Sequence, residues 1–332
     1  MKKIISAILL VCILVSLAAC GAAEADYKLG MGIVLSTDSS KTAKAQVDAT
    51  VAAVVLDKDG KIVSCRLDCA QNKMDVTGGA VDTAAAFKTK MELGADYGMV
   101  AYGNAVAEWD AQAKAFESYV VGKTAAEVGA IETTVTEEGH TVVVDEKLSA
   151  TCTMSVADFI NAIVKACNDT KAASFKSKGE FTLGLAAISD ASESTAATEM
   201  ENGVVKMYTE FGAAVVDKDG KILAASTDAT QPKISIDTAG EIMEAKFDGT
   251  KMELGANYGM VAYGNAIAEW DAQAKAFTDY VVGKTAAEVR GMETTVNAEG
   301  HSVTVDATLL ASCTMSISGM MAVVAQAADY AR

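Results

Sequence analysis

An α+β fold in two tandem copies is the architecture this sequence predicts, and three observations predict it. A long stretch repeats internally, each copy opens on two β-branched runs joined by an Asp-Gly turn, and the helical patterns follow the strands in a block. Residues 90–128 recur at 251–289 with four changes, Asp96/Asn257, Val106/Ile267, Glu117/Thr278 and Ser118/Asp279. The match extends outward: 56–62 pairs with 216–222, Gly139-His140 with Gly300-His301, and 151–155 with 312–316. Two copies of roughly 140 residues make tandem domains, not a solenoid, which needs at least ~3 short repeats. The expected layout is a leader at 1–19, a tether at 20–27, a first domain at 28–168, a polar linker at 169–180 and a second domain at 181–332.

Within the first copy, Val51–Leu56 and Lys61–Asp68 read as strands around the turn Lys58-Asp59-Gly60. The Asp-x-Asp-Gly here is not an EF-hand, because its glycine comes too early and no glutamate closes the loop. A glycine-punctuated segment, 92–103, leads to Asn104 as the expected cap of a helix carrying Val106, Trp109, Ala113, Phe116 and Val120, with Gly122 at its end. Thr124 and Glu127 make a capping box for a short helix. Thr141–Val144 reads as a strand, and Ser155 with Asp158 opens a last helix bearing Phe159, Ile160, Ile163 and Val164. Each domain is therefore expected to be an antiparallel sheet with helices on one face.

Composition bounds the function. Hydrophobic residues make up 51% of 332 and charged residues 22%, which excludes a disordered chain. With 28 basic against 44 acidic residues the net charge is −16, a surface that repels phosphate backbones, so no nucleic-acid partner is expected. Two histidines leave no material for a multi-histidine metal site. His140 and His301 occupy equivalent turns and no nucleophile elbow accompanies them, which makes a hydrolase the weakest reading.

Lys2 and Lys3 precede an unbroken apolar run from Ile4 to Ala19, the pattern of an export leader shorter than a comfortable membrane span. Leu17-Ala18-Ala19-Cys20 resembles a bacterial lipobox. That resemblance implies cleavage before Cys20, acylation of Cys20, and a protein held by lipid on the extracytoplasmic face of the cell membrane. Several acyl chains, palmitate-like in length, anchor stably where one chain is marginal. Among the remaining cysteines Cys152 and Cys313, repeat equivalents, read as small buried hydrophobes; the disulfide state of Cys65, Cys69, Cys152, Cys167 and Cys313 is left open.

The last candidate site precedes the final helix of each copy. The first reads Asp145-Glu146-Lys147-Leu148-Ser149-Ala150-Thr151-Cys152-Thr153-Met154-Ser155. It resembles the C-terminal signature of the FMN-binding domain family: an Asp, two variable residues, Ser-Gly-Ala-Thr, then a hydroxyl-rich helix start. The resemblance implies an FMN phosphate held by Asp145, Thr151 and Thr153, and by Asp306, Ser312 and Thr314 in the second copy, with Thr151 as the acceptor of a covalent link. It also implies electron transfer with membrane redox partners. Helix N-termini are ready anion sites, which gives the idea a physical basis. The chain departs from the signature where Leu148-Ser149 and Leu309-Leu310 replace Ser-Gly. From the retained stretch, Tyr97 and Met99, with Tyr258 and Met260, are the candidates to face a flat ring, beside Tyr102, Asn104 and Trp109. A non-enzymatic binding or structural envelope lipoprotein without cofactor is the alternative.

Overall fold

In the computed structural model, residues 24–332 are described; the leader and Cys20 lie outside the described residues. The first copy opens on an antiparallel meander, β1 (Ala25–Ser36), β2 (Lys44–Leu56) and β3 (Ile62–Asp75). β2 and β3 are the expected hairpin, with longer arms than the β-branched runs alone suggested, and Gly60 takes φ 73° in its turn. Then come α1 (Lys90–Leu93), α2 (Met99–Gly103), α3 (Trp109–Val120) and α4 (Ala125–Gly129). A two-stranded ribbon, β4 (Thr133–Val135) and β5 (Thr141–Val143), is followed by α5 (Glu146–Ser149) and α6 (Ala157–Cys167).

The capping box of Thr124 and Glu127 forms as expected, and a second one, Thr89 with Glu92, opens α1. Two helix starts differ from the expectation. Asn104 closes α2 in the left-handed region at φ 49° instead of opening α3. Glu108 holds the N-cap position of α3 instead, and its carboxylate accepts from the amides of Met99 (2.8 Å) and Val100 (3.1 Å) at the start of α2. Val106 consequently stays out of the helix, exposed. Ser155 does not cap α6 either: Val156 holds that position, and Asp158 lies in the first turn, where its charge complements the helix dipole.

The stretch expected as a linker carries a strand, β6 (Ala173–Ser177), paired with β1 to give the order β3-β2-β1-β6. Phe175 makes this possible by stacking on Tyr27 at 5.5 Å and meeting Phe181 edge-on at 5.4 Å. The second copy follows as β7 (Phe181–Asp190), β8 (Gly203–Val205), β9 (Tyr208–Asp217), β10 (Ile222–Thr230), β11 (Lys233–Ile236) and β12 (Ile242–Lys246). Its main sheet runs β10-β9-β7, and β12-β11-β8 form a separate small sheet. Pro232, the chain's single proline, lies between β10 and β11 where β3 runs unbroken. A residue without an N–H cannot continue the ladder, so the strand divides there. α7 (Lys251–Leu254), α8 (Met260–Gly264), α9 (Trp270–Tyr280), α10 (Ala286–Arg290), β13 (Thr294–Val296), β14 (Ser302–Thr304), α11 (Ala307–Leu310) and α12 (Ser318–Asp329) repeat the earlier order.

Helices cover one face of each main sheet, as the sequence predicts. Trp109, Phe116, Phe159 and Ile163 pack there in the first copy, and Trp270, Phe277, Val323 and Val324 in the second. The opposite faces meet each other: Leu29, Ile33, Val51 and Val55 share a core with Leu183, Phe211 and Val215. The result is four layers, helices, sheet, sheet, helices. Side chains also cross reciprocally, since Gln326 and Tyr330 bond Glu92 (2.8 and 3.2 Å) while Lys165 pairs with Glu253. Glu117 is buried and accepts from the Leu67 amide (2.8 Å) and from Arg332 (3.1 Å), which ties the last residue to the first copy.

The last helix of each copy approaches its sheet at a glycine. A β-carbon on Gly30 or Gly184 would collide with the carbonyl oxygen of Ala166 or Ala327. Gly184→Ala must displace backbone, and we expect a loss of at least ~1–3 kcal/mol. Gly103→Ala, in a helix with open space around it, should be neutral or stabilising by up to about 1 kcal/mol. Urea unfolding of both variants checks the contrast; equal stabilities would mean the helix is not seated as described.

Candidate functional site

Alternate residues of a strand share a face, so Tyr208 and Glu210 point the same way as the core residues Ala214 and Val216, toward the helices. α7 begins with Lys251, and its first turn is fixed by Asp228, which accepts from the Met252 amide at 3.0 Å and the Ala229 amide at 2.7 Å. Lys251 is thereby held beneath three rings, with its Nζ 4.8 Å from the centroid of Tyr208, 5.0 Å from Tyr258 and 5.4 Å from Trp270. It donates to Tyr208 Oη at 3.3 Å, and Tyr208 donates onward to Glu210 Oε1 at 2.9 Å. Glu210 Oε2 is buried without a partner. Burial lowers the Lys251 ammonium to about 8 and pushes the carboxyl of Glu210 and the phenol of Tyr208 up.

These groups line a cleft of ≈ 760 Å³ in the second copy, within the range of small-molecule sites. Met260, Met315 and Met320 add soft apolar surface; Asn265, Ala266 and Ile267 form one rim, and Asp190, Glu299 and His301 another. Glu269 shapes the first rim by accepting from the amides of Met260 (2.8 Å) and Val261 (3.2 Å).

Of the residues singled out in the sequence, the structure brings Tyr258, Met260 and Thr314 together in this cleft, along with Trp270 and Asn265, the counterparts of Trp109 and Asn104. Tyr97 and Met99 are half-buried against the first copy's core, where Lys90 lies 5.0 Å from the Tyr97 ring and 5.7 Å from Trp109. Asp48 stands there in place of Tyr208 and is bonded by Gln46 (2.7 Å) and Gln71 (2.8 Å).

The Asp145–Thr151 loop and its counterpart turn their polar groups inward. Asp145 caps α5 by accepting from the amides of Lys147 and Leu148, both at 3.0 Å, and Asp306 caps α11 the same way. The hydroxyls of Thr151 and Ser312 donate to the carbonyls of Leu148 (3.1 Å) and Leu309 (3.3 Å). Those same carbonyls accept the amides of Thr151, Cys152, Ser312 and Cys313. Leu148 and Leu309 are buried in the helix-side cores. The next two amides go to a buried glutamine. Gln112 Oε1 accepts from Thr153 (2.8 Å) and Met154 (3.2 Å), and Gln273 does the same for Thr314 and Met315. As a phosphate cradle these residues do not fit: every amide and hydroxyl from Thr151 to Met154, and from Ser312 to Met315, that the signature would offer has a partner inside the protein.

Sequence reasoning missed Lys251, Tyr208, Glu210, Asp228 and the two glutamines. Gln112 and Lys90 lie in the retained stretch, which was the available signal; Tyr208 and Glu210 differ from Asp48 and Thr50 and carried none. Among the described residues the five cysteines are free thiols, and burial raises Cys152 and Cys313 to about 11. Among the described residues no group of three or more His, Cys, Asp or Glu is placed to hold a metal ion.

Asp228 gives a test of the site's foundation. Burial raises its carboxyl to about 6 from 3.8, so the folded chain holds this proton more tightly than the unfolded one. That contribution is complete below about pH 4 and lost as pH rises through 6. Asp228→Asn keeps an acceptor for both amides, and its stability relative to the parent chain should improve by about 2–3 kcal/mol between pH 4 and 7. A difference that does not change with pH would show that Asp228 does not titrate as a buried carboxyl. No protein family matches the chain, and neither a curated protein nor a solved structure is found to be similar to it.

Proposed function

We propose that the chain is a lipid-anchored, extracytoplasmic binding protein whose second copy takes a planar aromatic molecule of the flavin class, held without a covalent bond. The observation that carries this reading is the convergence of Tyr208, Tyr258, Trp270 and three methionines on one cleft of ligand size. Ring faces and thioethers are the natural partners of a flat heteroaromatic system. A bound isoalloxazine would supply reversible electron transfer, and the protein's part would be to hold the ring and exclude water from one of its faces. Membrane redox partners then follow from the tether at Cys20. Among the described residues no helix is long and apolar enough to cross a membrane, and the lipobox-like Leu17–Cys20 supports attachment by lipid.

A structural role in the envelope is the second reading. Tyr102 and Tyr263, each 91% exposed at equivalent positions, favour it as contact points for another macromolecule.

The chain has two tryptophans, so Trp109→Phe leaves Trp270 as sole reporter. Titrating that variant with riboflavin and with FMN should quench its emission, and ligand at 100 times its Kd should add ~2.7 kcal/mol of stability. Unchanged emission and melting temperature with both flavins would remove the ligand reading and leave the structural one.

A further inference from the structure

We infer that the ligand of the second-copy cleft is a ring without a phosphate: a neutral planar heteroaromatic of the riboflavin type, which the site prefers to its phosphorylated form. This rests on the flavin reading of the cleft and narrows it, against what the Asp145–Thr151 resemblance implies.

Three observations support it. The first is the loop ahead of the last helix in each copy, where the amides and hydroxyls that would cradle a phosphate are bonded to Leu148, Leu309, Gln112 and Gln273.

The second is the start of α12, a long helix whose first turn borders the cleft. A helix N-terminus attracts an anion, and here a carboxyl of the protein already fills the space beside it. The Glu210 carboxylate lies against Gly319, the second residue of α12, so closely that any β-carbon at 319 would collide with it. A phosphate arriving there would meet a carboxyl already in place. In the first copy, where Thr50 replaces Glu210, Asp158 occupies the position of Gly319 and puts a carboxyl in the first turn of α6. Both copies thus place an acid at this helix start, one from a strand and one from the helix itself.

The third is the charge around the opening. Asp190, Glu210 and Glu299 line the cleft against a single lysine, and Lys251 lies under three rings with 8% of its surface exposed. His301, on the rim, is the other basic residue of the lining. A phosphate dianion entering this opening is repelled over a Debye length of ~8 Å at physiological salt. A neutral ring is not.

The test is a direct comparison of riboflavin, lumichrome and FMN binding to the full chain by flavin fluorescence at about 20–500 mM salt. We expect riboflavin and lumichrome to bind at least about tenfold more tightly than FMN, a gap of ~1.4 kcal/mol, and salt to narrow it. Asp190→Asn with Glu299→Gln should narrow the gap further by improving FMN binding more than riboflavin binding. FMN binding as tight as riboflavin or tighter would overturn the inference while leaving the flavin reading intact. So would a covalent FMN adduct on Thr151 or Ser312 by intact mass. A chain that binds none of the three overturns the flavin reading and this inference with it.

Discussion

Each main sheet has two apolar faces, and the chain can hide both only by laying one copy's sheet on the other's. That single constraint fixes most of the architecture. Val51 to Val55 are all buried, alternate residues pointing to the helices and to the partner sheet. A Val, Leu or Phe buried from water contributes ~1.5–3 kcal/mol, so a separated copy would leave a large part of its core uncovered. The tandem repeat is therefore one folding unit in physical terms, although its sequence reads as two domains. The crossing contacts at Glu92, Glu117 and Glu253 lie at the margins of that shared core and fix its register.

The same packing explains what was legible. Hairpin turns, capping boxes and helix-facing residues are local matters, written in Asp59-Gly60, in Thr124 with Glu127, and in the spacing of Trp109, Ala113 and Phe116. The buried second face was also written, in the absence of polar alternation from Val51 to Leu56, since a half-exposed strand alternates and a doubly covered one does not. Reading that run as an ordinary strand left the sheet-on-sheet contact unseen. The polar 169–180 stretch misled for a different reason. An edge strand needs few apolar residues, and Phe175 alone, against Tyr27 and Phe181, suffices to dock it.

The site was less legible than the fold because it depends on partners far apart in sequence. Lys251 does not stand out among the charged residues; only the fold brings Tyr208 of β9, Tyr258 of the turn after α7 and Trp270 at the start of α9 around it. The Asp145–Thr151 motif shows the converse. Its residue types suit an anion, yet Leu148 and Leu309 enter the core and draw the neighbouring hydroxyls and amides back onto their own carbonyls. A motif states which groups are present. Which way they face is decided by the side chain that packs best, and here that is leucine.

Divergence between the copies then acquires a direction. Asp48/Tyr208, Thr50/Glu210 and Asp158/Gly319 are among the positions around the cleft that differ, while the stretch bearing the lysine, a tyrosine and the tryptophan is nearly unchanged. In the first copy Asp48 is bonded by two glutamines from neighbouring strand positions, which fills the space beside Lys90 with a closed polar network. In the second, a phenol takes that place and adds a third ring over the lysine. The acid at the helix start moves from helix to strand, and Gly319 clears the volume it needs. Exchanging an aspartate for a tyrosine at the wall replaces a polar group with a ring and keeps a carboxyl beside the start of the last helix. The aromatic wall beside Lys251 is the outcome of that exchange, and so the second copy presents a ring-sized cleft on a scaffold that the first copy repeats.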